Sequence, residues 1–147
     1  MNWIRIIFIL AVMGVCSRAA DYVAAPKWQV TVVNARREPM VGCKVYEDWR
    51  YYFGSGDTSG STNVLTDAKG QVVFPERKVS APAGKVFTSR LKGALNVHSS
   101  YGASSSITVA VDGFDIVFIS RDPKLPLTNG VFHSTVILKR KASSTAK

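Results

Sequence analysis

The chain has 147 residues, a length that suits a single domain with one hydrophobic core. Its formal charge of +9 comes from 19 basic and 10 acidic side chains and permits anionic partners such as lipids, acidic glycans or nucleic acid. The basic clusters are short and no nucleic-acid-binding motif is present, so a solvated basic surface is favoured and nucleic acid is not expected as a partner. The abundance of Val, Thr, Tyr, Phe and Ser favours an all-β domain.

Residues 1–19 are predicted to be a signal peptide, because Arg5 precedes a run of ten apolar residues at 6–15. That run is too short to span a bilayer. Small residues precede the junction between Ala19 and Ala20, which is therefore the predicted cleavage site. The mature protein is expected to be exported, either periplasmic or secreted, with no transmembrane span once the signal is removed.

Each cysteine leaves an alternative open. Cys16 follows the apolar run, as the acylated cysteine of a lipoprotein signal does, but Val15 fits that signal poorly, so lipidation is the less favoured alternative to cleavage. Cleavage after Ala19 leaves Cys43 as the single cysteine, without an internal disulfide. Cys43 alternates with valines and is predicted to be buried and inert, the alternative being a reactive thiol or an intermolecular disulfide.

Residues 27–140 are predicted to form one β-sandwich domain, followed by a flexible tail at 141–147. Period-two alternation and turn residues predict about seven strands. These lie at 28–32, 41–46, 64–66, 71–74, 105–111, 115–119 and 131–138. Between them, Phe87, Leu91 and Leu95 recur every four residues, which predicts a short helical insertion near 84–96 that covers one edge or end of the sandwich. An irregular loop is the alternative for that insertion.

The segment 47–53 contains the candidate binding surface. Aromatic rings that flank a guanidinium are suited to stacking on sugars or peptides. Strand alternation favours the other interpretation, in which every second aromatic side chain packs into the core. The glycine- and serine-rich segment 54–62 is predicted to be a flexible loop beside this surface. The four residues of the candidate surface are Trp49, Arg50, Tyr51 and Tyr52.

Two sequence motifs, at 39–45 and 66–75, together resemble those of the carboxypeptidase regulatory-like domain, which has a transthyretin-like (prealbumin-like) fold. Met40 departs from the pattern of that family. The resemblance extends to small secreted bacterial proteins with a His-x-Ser-aromatic-Gly segment, found here at 98–102, and implies a Greek-key antiparallel β-sandwich. The residues that carry the resemblance are Pro39, Val41, Gly42, Cys43, Val45, Thr66, Asp67, Gly70, Val72, Phe74 and Pro75.

Motifs for catalysis are missing from the sequence. His98 and His133 are the two histidines, and their spacing matches no metal-binding motif, so no metal or other cofactor is expected. Two enzyme families share sandwiches of this kind. Hydroxyisourate hydrolases end in Tyr-Arg-Gly-Ser, which 139–147 lacks. Intradiol dioxygenases hold iron through two Tyr and two His, and this chain meets only the count.

The sequence therefore favours a non-enzymatic module outside the cytoplasm that binds an unspecified protein or glycan of the bacterial envelope. No catalytic residue is assigned. One alternative is a small hydrolase or metalloenzyme that uses His98 or His133 with Tyr101. A second alternative is a surface protein anchored by a lipid at Cys16.

Overall fold

The computed structural model describes residues 19–53, 57–95, 101–122 and 126–141, which form nine strands and one helix. Residues 1–18 of the predicted signal segment, which include Cys16, and His98 lie outside the described residues. The helix, α1, is Ala83–Leu95. The strands are β1 (Ala19–Ala25), β2 (Lys27–Asn34), β3 (Lys44–Phe53), β4 (Asp57–Leu65), β5 (Gln71–Phe74), β6 (Arg77–Pro82), β7 (Tyr101–Val109), β8 (Val117–Ser120) and β9 (Val131–Leu138).

The strands form three sheets, with orders β5-β2-β9, β4-β3-β7-β8 and β1-β6. Every pair is antiparallel except β2 and β9, which run parallel from Lys27 opposite Val131 to Asn34 opposite Leu138. The predicted all-β sandwich with one short helix is confirmed. It has nine described strands rather than about seven, and the parallel pair replaces the wholly antiparallel arrangement that was expected. Among the described residues, no helix is both long and apolar enough to cross a membrane.

The main core lies between the three-stranded and four-stranded sheets. Strand alternation turns Trp28, Val30 and Val32 of β2 inward, where they meet Val45 of β3. The indole N–H of Trp28 donates to Ser134 Oγ at 2.8 Å, so the one polar atom of this ring is satisfied. Each large apolar side chain buried here contributes roughly 1.5–3 kcal/mol relative to exposure.

A second cluster of buried side chains lies where β1 and β6 cover the other half of β3 and β7. It contains Ala24 of β1 and Val79 of β6, packed with Tyr51 and Phe53 of β3. Strand β1, which precedes the predicted domain start at residue 27, pairs with β6 along its length and buries Ala24 and Ala25. Strand β1 therefore packs with β6 against the second cluster.

The serine-rich segment predicted to be a flexible loop is instead strand β4 over its described part. It pairs with β3 from Lys44 opposite Leu65 to Tyr52 opposite Asp57. Polar side chains suit this position because β4 is an edge strand whose outer face is open to solvent. Residues 54–56, which join the two strands, lie outside the described residues.

The turn between β4 and β5 explains the sequence motif at 66–75, because its residues make local hydrogen bonds. Thr66 Oγ1 accepts from the backbone N–H of Cys43 at 2.9 Å and donates to the carbonyl of Met40 at 2.6 Å. Asp67 Oδ1 accepts from the N–H groups of Lys69 and Gln71, each at 2.8 Å. The threonine thus fastens the turn to the start of β3, while the aspartate closes the turn itself.

Helix α1 confirms the predicted helical insertion, but its apolar stripe does not cover the sandwich. Val86 is the described helix residue that joins the second cluster. Phe87, Leu91 and Leu95 are exposed. Successive helix residues point about 100° apart. Because Val86 packs against the second cluster, the apolar stripe that begins at Phe87 points away from the sheets.

Candidate functional site

Alternation along β3 divides the four residues of the candidate surface between two faces. Tyr51 is buried in the second cluster, with its ring centre 4.7 Å from that of Phe53 and 5.8 Å from that of Tyr22. The half-buried Trp49 packs against the same cluster. Its ring lies over Gly60, where an added Cβ would come within 2.6 Å of Trp49 Cζ2. Arg50 and Tyr52 alternate with these residues and lie on the outer face.

The outer face of the four-stranded sheet repeats one arrangement in two adjacent rows. Arg50 lies between Ser59 of β4 and Ser104 of β7. Asp48, two residues earlier on β3, lies between Ser61 and Ser106 in the same way. Side chains directly opposite each other on neighbouring strands lie on one face, about 4.5–5.5 Å apart at Cβ. Each charged group is therefore flanked on both sides by hydroxyl groups.

These two rows and Tyr52 line a shallow depression with a volume of about 390 Å³. We call it the outer-face depression; Trp49 and Gly60 complete its lining. Arg50 Nε lies 3.3 Å from Asp57 Oδ2, and both side chains are about half exposed, at 51% and 45%. The Arg50 guanidinium carbon also lies 5.7 Å from the centre of the Tyr52 ring. These two contacts brace the arginine while leaving N–H donors open to a ligand.

The local charge of the depression differs from that of the whole chain. Arg50 contributes one positive charge and Asp48 one negative charge to the lining, and Asp57, which lies opposite Tyr52 and contacts Arg50, adds a second negative charge beside it. The balance is therefore about −1 in a protein whose formal charge is +9. A site of this kind supplies donors and acceptors for hydroxyl groups but gives no net attraction to a polyanion.

Sequence reasoning identifies Arg50 and Tyr52 but misses most of this depression. Glu47 precedes Asp48 in the strand, but neighbouring strand residues point to opposite faces, so the two carboxylates give no signal for paired acid–base chemistry. The serines of β4 fall in a predicted loop, and those of β7 fall at the edge of a predicted strand. The signal that identifies them is the register of β3 between β4 and β7, which a single sequence does not reveal.

A buried ion pair lies on the inner side of the same sheet. Glu47 has no exposed surface and sits between the two clusters of buried side chains. Arg77 Nε donates to Glu47 Oε2 at 3.2 Å, joining β6 to β3. Burial raises the pKa of Glu47 above its usual value, and the contact with Arg77 partly offsets this rise. Within the described structure, Glu47 Oε1 and Ser105 Oγ are buried without hydrogen-bond partners.

Two of the remaining sequence candidates, His133 and Cys43, lie apart from the depression. His133 is exposed on β9, opposite Gln29 in the three-stranded sheet. Cys43 is buried and free, and burial raises the pKa of its thiol. The side chain of Tyr101 and all of His98 lie outside the described atoms. In the part of the chain that is described, no group of three or more His, Cys, Asp or Glu side chains is placed to hold a metal ion.

Comparison with known proteins gives matches at the level of structure alone. No family model matches the chain, and no curated protein matches its sequence. Catechol 1,2-dioxygenase from Acinetobacter radioresistens matches with TM-score 0.48 and 14% identity, over 82% of this chain and 54% of the enzyme. 3-Chlorocatechol 1,2-dioxygenase from Rhodococcus opacus 1CP matches with TM-score 0.46 and 12% identity, over 91% and 77%. The chain spans about half the length of the Acinetobacter enzyme.

These matches correct two expectations from the sequence. The similar structures are dioxygenases rather than carboxypeptidase regulatory-like or transthyretin-like domains, so the family resemblance is wrong. The prediction of a non-enzymatic module, which rested on the export signal, the family resemblance and the missing catalytic motifs, is also corrected, since both of these similar structures are enzymes. At these identities and TM-scores, no activity, metal or residue role is carried from the dioxygenases to this chain.

Proposed function

We propose that this protein recognises a glycan at the outer-face depression. The observation that supports this most directly is the pair of rows in which Arg50 and Asp48 each lie between two serines. Sugar hydroxyls both donate and accept hydrogen bonds. A guanidinium that only donates, a carboxylate that only accepts and hydroxyls that do both match them closely.

Tyr52 adds an apolar surface to these polar groups. Its ring lines the depression beside Arg50 and can pack against the C–H face of a sugar ring. The depression is shallow and open, which suits one stretch of a longer chain better than a small molecule that must be enclosed. Since the local charge is about −1, the proposed ligand is a neutral glycan or one with amino groups. The export pattern at 1–19 supports a role outside the cytoplasm, where such glycans are accessible.

Variants of Arg50 and Tyr52 test this proposal. Purified protein is screened on an array of neutral, amino-bearing and acidic glycans, and the strongest ligand is titrated by calorimetry. Arg50→Ala and Tyr52→Ala are each expected to weaken binding at least about tenfold, because each removes a central contact. Selective binding of neutral or amino-bearing glycans is expected, with acidic glycans bound less well.

The same strand provides a matched control pair. Lys44 Nζ lies 5.6 Å from the centre of the Tyr46 ring, a cation–aromatic contact like that of Arg50 and Tyr52 but outside the depression. Lys44→Ala and Tyr46→Ala are expected to leave affinity unchanged. Equal losses from both pairs, or a preference for acidic glycans, would contradict the proposed site.

A further inference from the structure

A cavity of about 640 Å³ lies at one end of the sandwich, apart from the outer-face depression. One wall is the turn that follows β2, and the other is formed by Phe114 and by Arg140, which lies just beyond the end of β9. This volume falls within the roughly 300–1,000 Å³ that small-molecule sites occupy. The chemistry of the lining therefore decides which ligand the cavity suits.

The floor of this cavity is the uncovered end of the main core. Leu138 is fully buried, and Met40 and Phe114 are partly buried against the same cluster. All three line the cavity. Covering the exposed apolar surface at the end of a core with the apolar part of a ligand is favourable, because it removes both surfaces from water.

Hydrogen bonds hold both walls in place. Asn34 Oδ1 accepts from the backbone N–H groups of Arg36 at 2.8 Å and Glu38 at 3.0 Å. Asn34 Nδ2 donates to Glu38 Oε2 at 2.6 Å, so this carboxylate is already engaged. On the opposite wall, the N–H of Lys141 donates to the carbonyl of Gly113 at 3.0 Å, which sets Arg140 beside Phe114. A rim with a fixed backbone reduces the entropy lost on binding.

The rim carries two guanidinium groups that are not committed elsewhere. Arg36 and Arg140 make no ion pair with any side chain in the described ranges. The exposed Asp115 lies near this wall, because its N–H donates to the carbonyl of Lys139 at 2.9 Å. Its negative charge is outnumbered by the positive charges of Lys139 and Lys141, which flank Arg140 in the chain. Arg36 and Arg140 with the flanking Lys139 and Lys141 exceed the negative charges of Glu38 and Asp115, so the opening is net positive above an apolar floor.

We propose that this cavity binds a small amphipathic carboxylate, an alkyl acid whose chain covers Met40, Phe114 and Leu138 and whose carboxylate is held by Arg36 and Arg140. Guanidinium and carboxylate groups form short, charge-assisted hydrogen bonds, often two at once. The alkyl chain selects against small inorganic anions, and the arginines select against uncharged alkyl compounds. This cavity and its ligand are independent of the proposed glycan site.

Titration with decanoate and with decanol, below the concentrations at which either aggregates, tests the proposal by calorimetry. Decanoate is expected to bind at least about tenfold more tightly than decanol, which has the same chain without the charge. The double variant Arg36→Met, Arg140→Met is expected to weaken decanoate binding at least about tenfold. Lys69→Met removes an exposed cation from a turn outside the cavity and should leave the affinity unchanged.

Several outcomes would overturn this inference. They are the absence of decanoate binding, equal affinities for decanoate and decanol, and full affinity in the double variant. A second variant, Arg36→Lys with Arg140→Lys, keeps both charges but loses the planar fork, and an intermediate affinity is expected. Arg50→Ala should bind decanoate with wild-type affinity, so the carboxylate site and the glycan site can be tested independently of each other.

Discussion

Replacing Arg77 by Met is expected to destabilise the protein by about 3 kcal/mol, the low end of the 3–5 kcal/mol range for removing one partner of a buried ion pair. The substitution leaves Glu47 buried between the two clusters without its hydrogen-bond donor. The low end applies because Arg77 is 29% exposed and water screens part of the interaction. Urea denaturation of the wild-type and variant proteins measures the difference in unfolding free energy.

The pH dependence of stability provides a second readout on Glu47. Burial raises the pKa of this carboxyl in the folded protein, so the folded state keeps its proton to higher pH than the unfolded state does. Its contribution to stability is thus greatest below the usual pKa of 4.5 and falls as pH rises through the folded pKa. Glu47→Gln abolishes this titration, so wild type should lose stability relative to Glu47→Gln as the pH rises above 4.5.

The adjacent ion pair is the control for both experiments. Lys78 Nζ lies 3.1 Å from Glu76 Oε1, but the two side chains are 58% and 43% exposed. Lys78→Met is expected to change the unfolding free energy by less than about 1 kcal/mol. Comparable losses from Arg77→Met and Lys78→Met, or a stability gap between wild type and Glu47→Gln that does not vary with pH, would refute the role assigned to the buried pair.

Gly70→Ala is expected to reduce the unfolding free energy by about 2–4 kcal/mol. Gly70 has a φ of +70°, a conformation that costs L-residues free energy. An added Cβ would also lie 2.6 Å from the carbonyl oxygen of Val32 and 3.0 Å from the N–H nitrogen of Met40. Because both are backbone atoms, β2 or the β4–β5 turn would have to move.

Gly42→Ala separates conformational strain from steric overlap. Gly42 has the same φ of +70°, yet an added Cβ there meets nothing within 4 Å. Its loss of unfolding free energy should be about 1 kcal/mol, from strain alone. Chemical denaturation of the two variants under the same conditions gives the comparison. Equal losses would show that the close approach of Gly70 to Val32 contributes nothing.

The elements that the sequence predicts well are those whose signals are local. Alternation at 28–32 and the four-residue spacing of Phe87, Leu91 and Leu95 correctly predict a strand and a helix. The direction in which α1 presents its stripe depends on how Val86 packs against the second cluster, and that contact is not local. Strand β1 is missed for the same reason, since short alanine-rich segments become strands only when a partner such as β6 pairs with them.

The family resemblance is misleading because its most distinctive residues serve a local purpose. Thr66, Asp67 and Gly70 close a turn and fasten it to the start of β3, an arrangement that any sandwich with a tight turn at this place can use. Such residues predict a tight turn but do not identify a family, and here the turn leads from one sheet to the other, because β4 and β5 lie in different sheets. The candidate site escapes prediction for a different reason, because its serines become neighbours of β3 only through strand register. These are Ser59, Ser61, Ser104 and Ser106.

The measurement that most directly tests the central claim is chemical-shift mapping of the isotope-labelled protein during titration with neutral and amino-bearing oligosaccharides. Saturable shifts are predicted at backbone amides around Asp48, Arg50 and Tyr52 on β3 and around the four serines on β4 and β7. Amides of the three-stranded sheet should remain unchanged. Saturable shifts confined to any other surface, or none with any such oligosaccharide, would contradict glycan recognition at the outer-face depression.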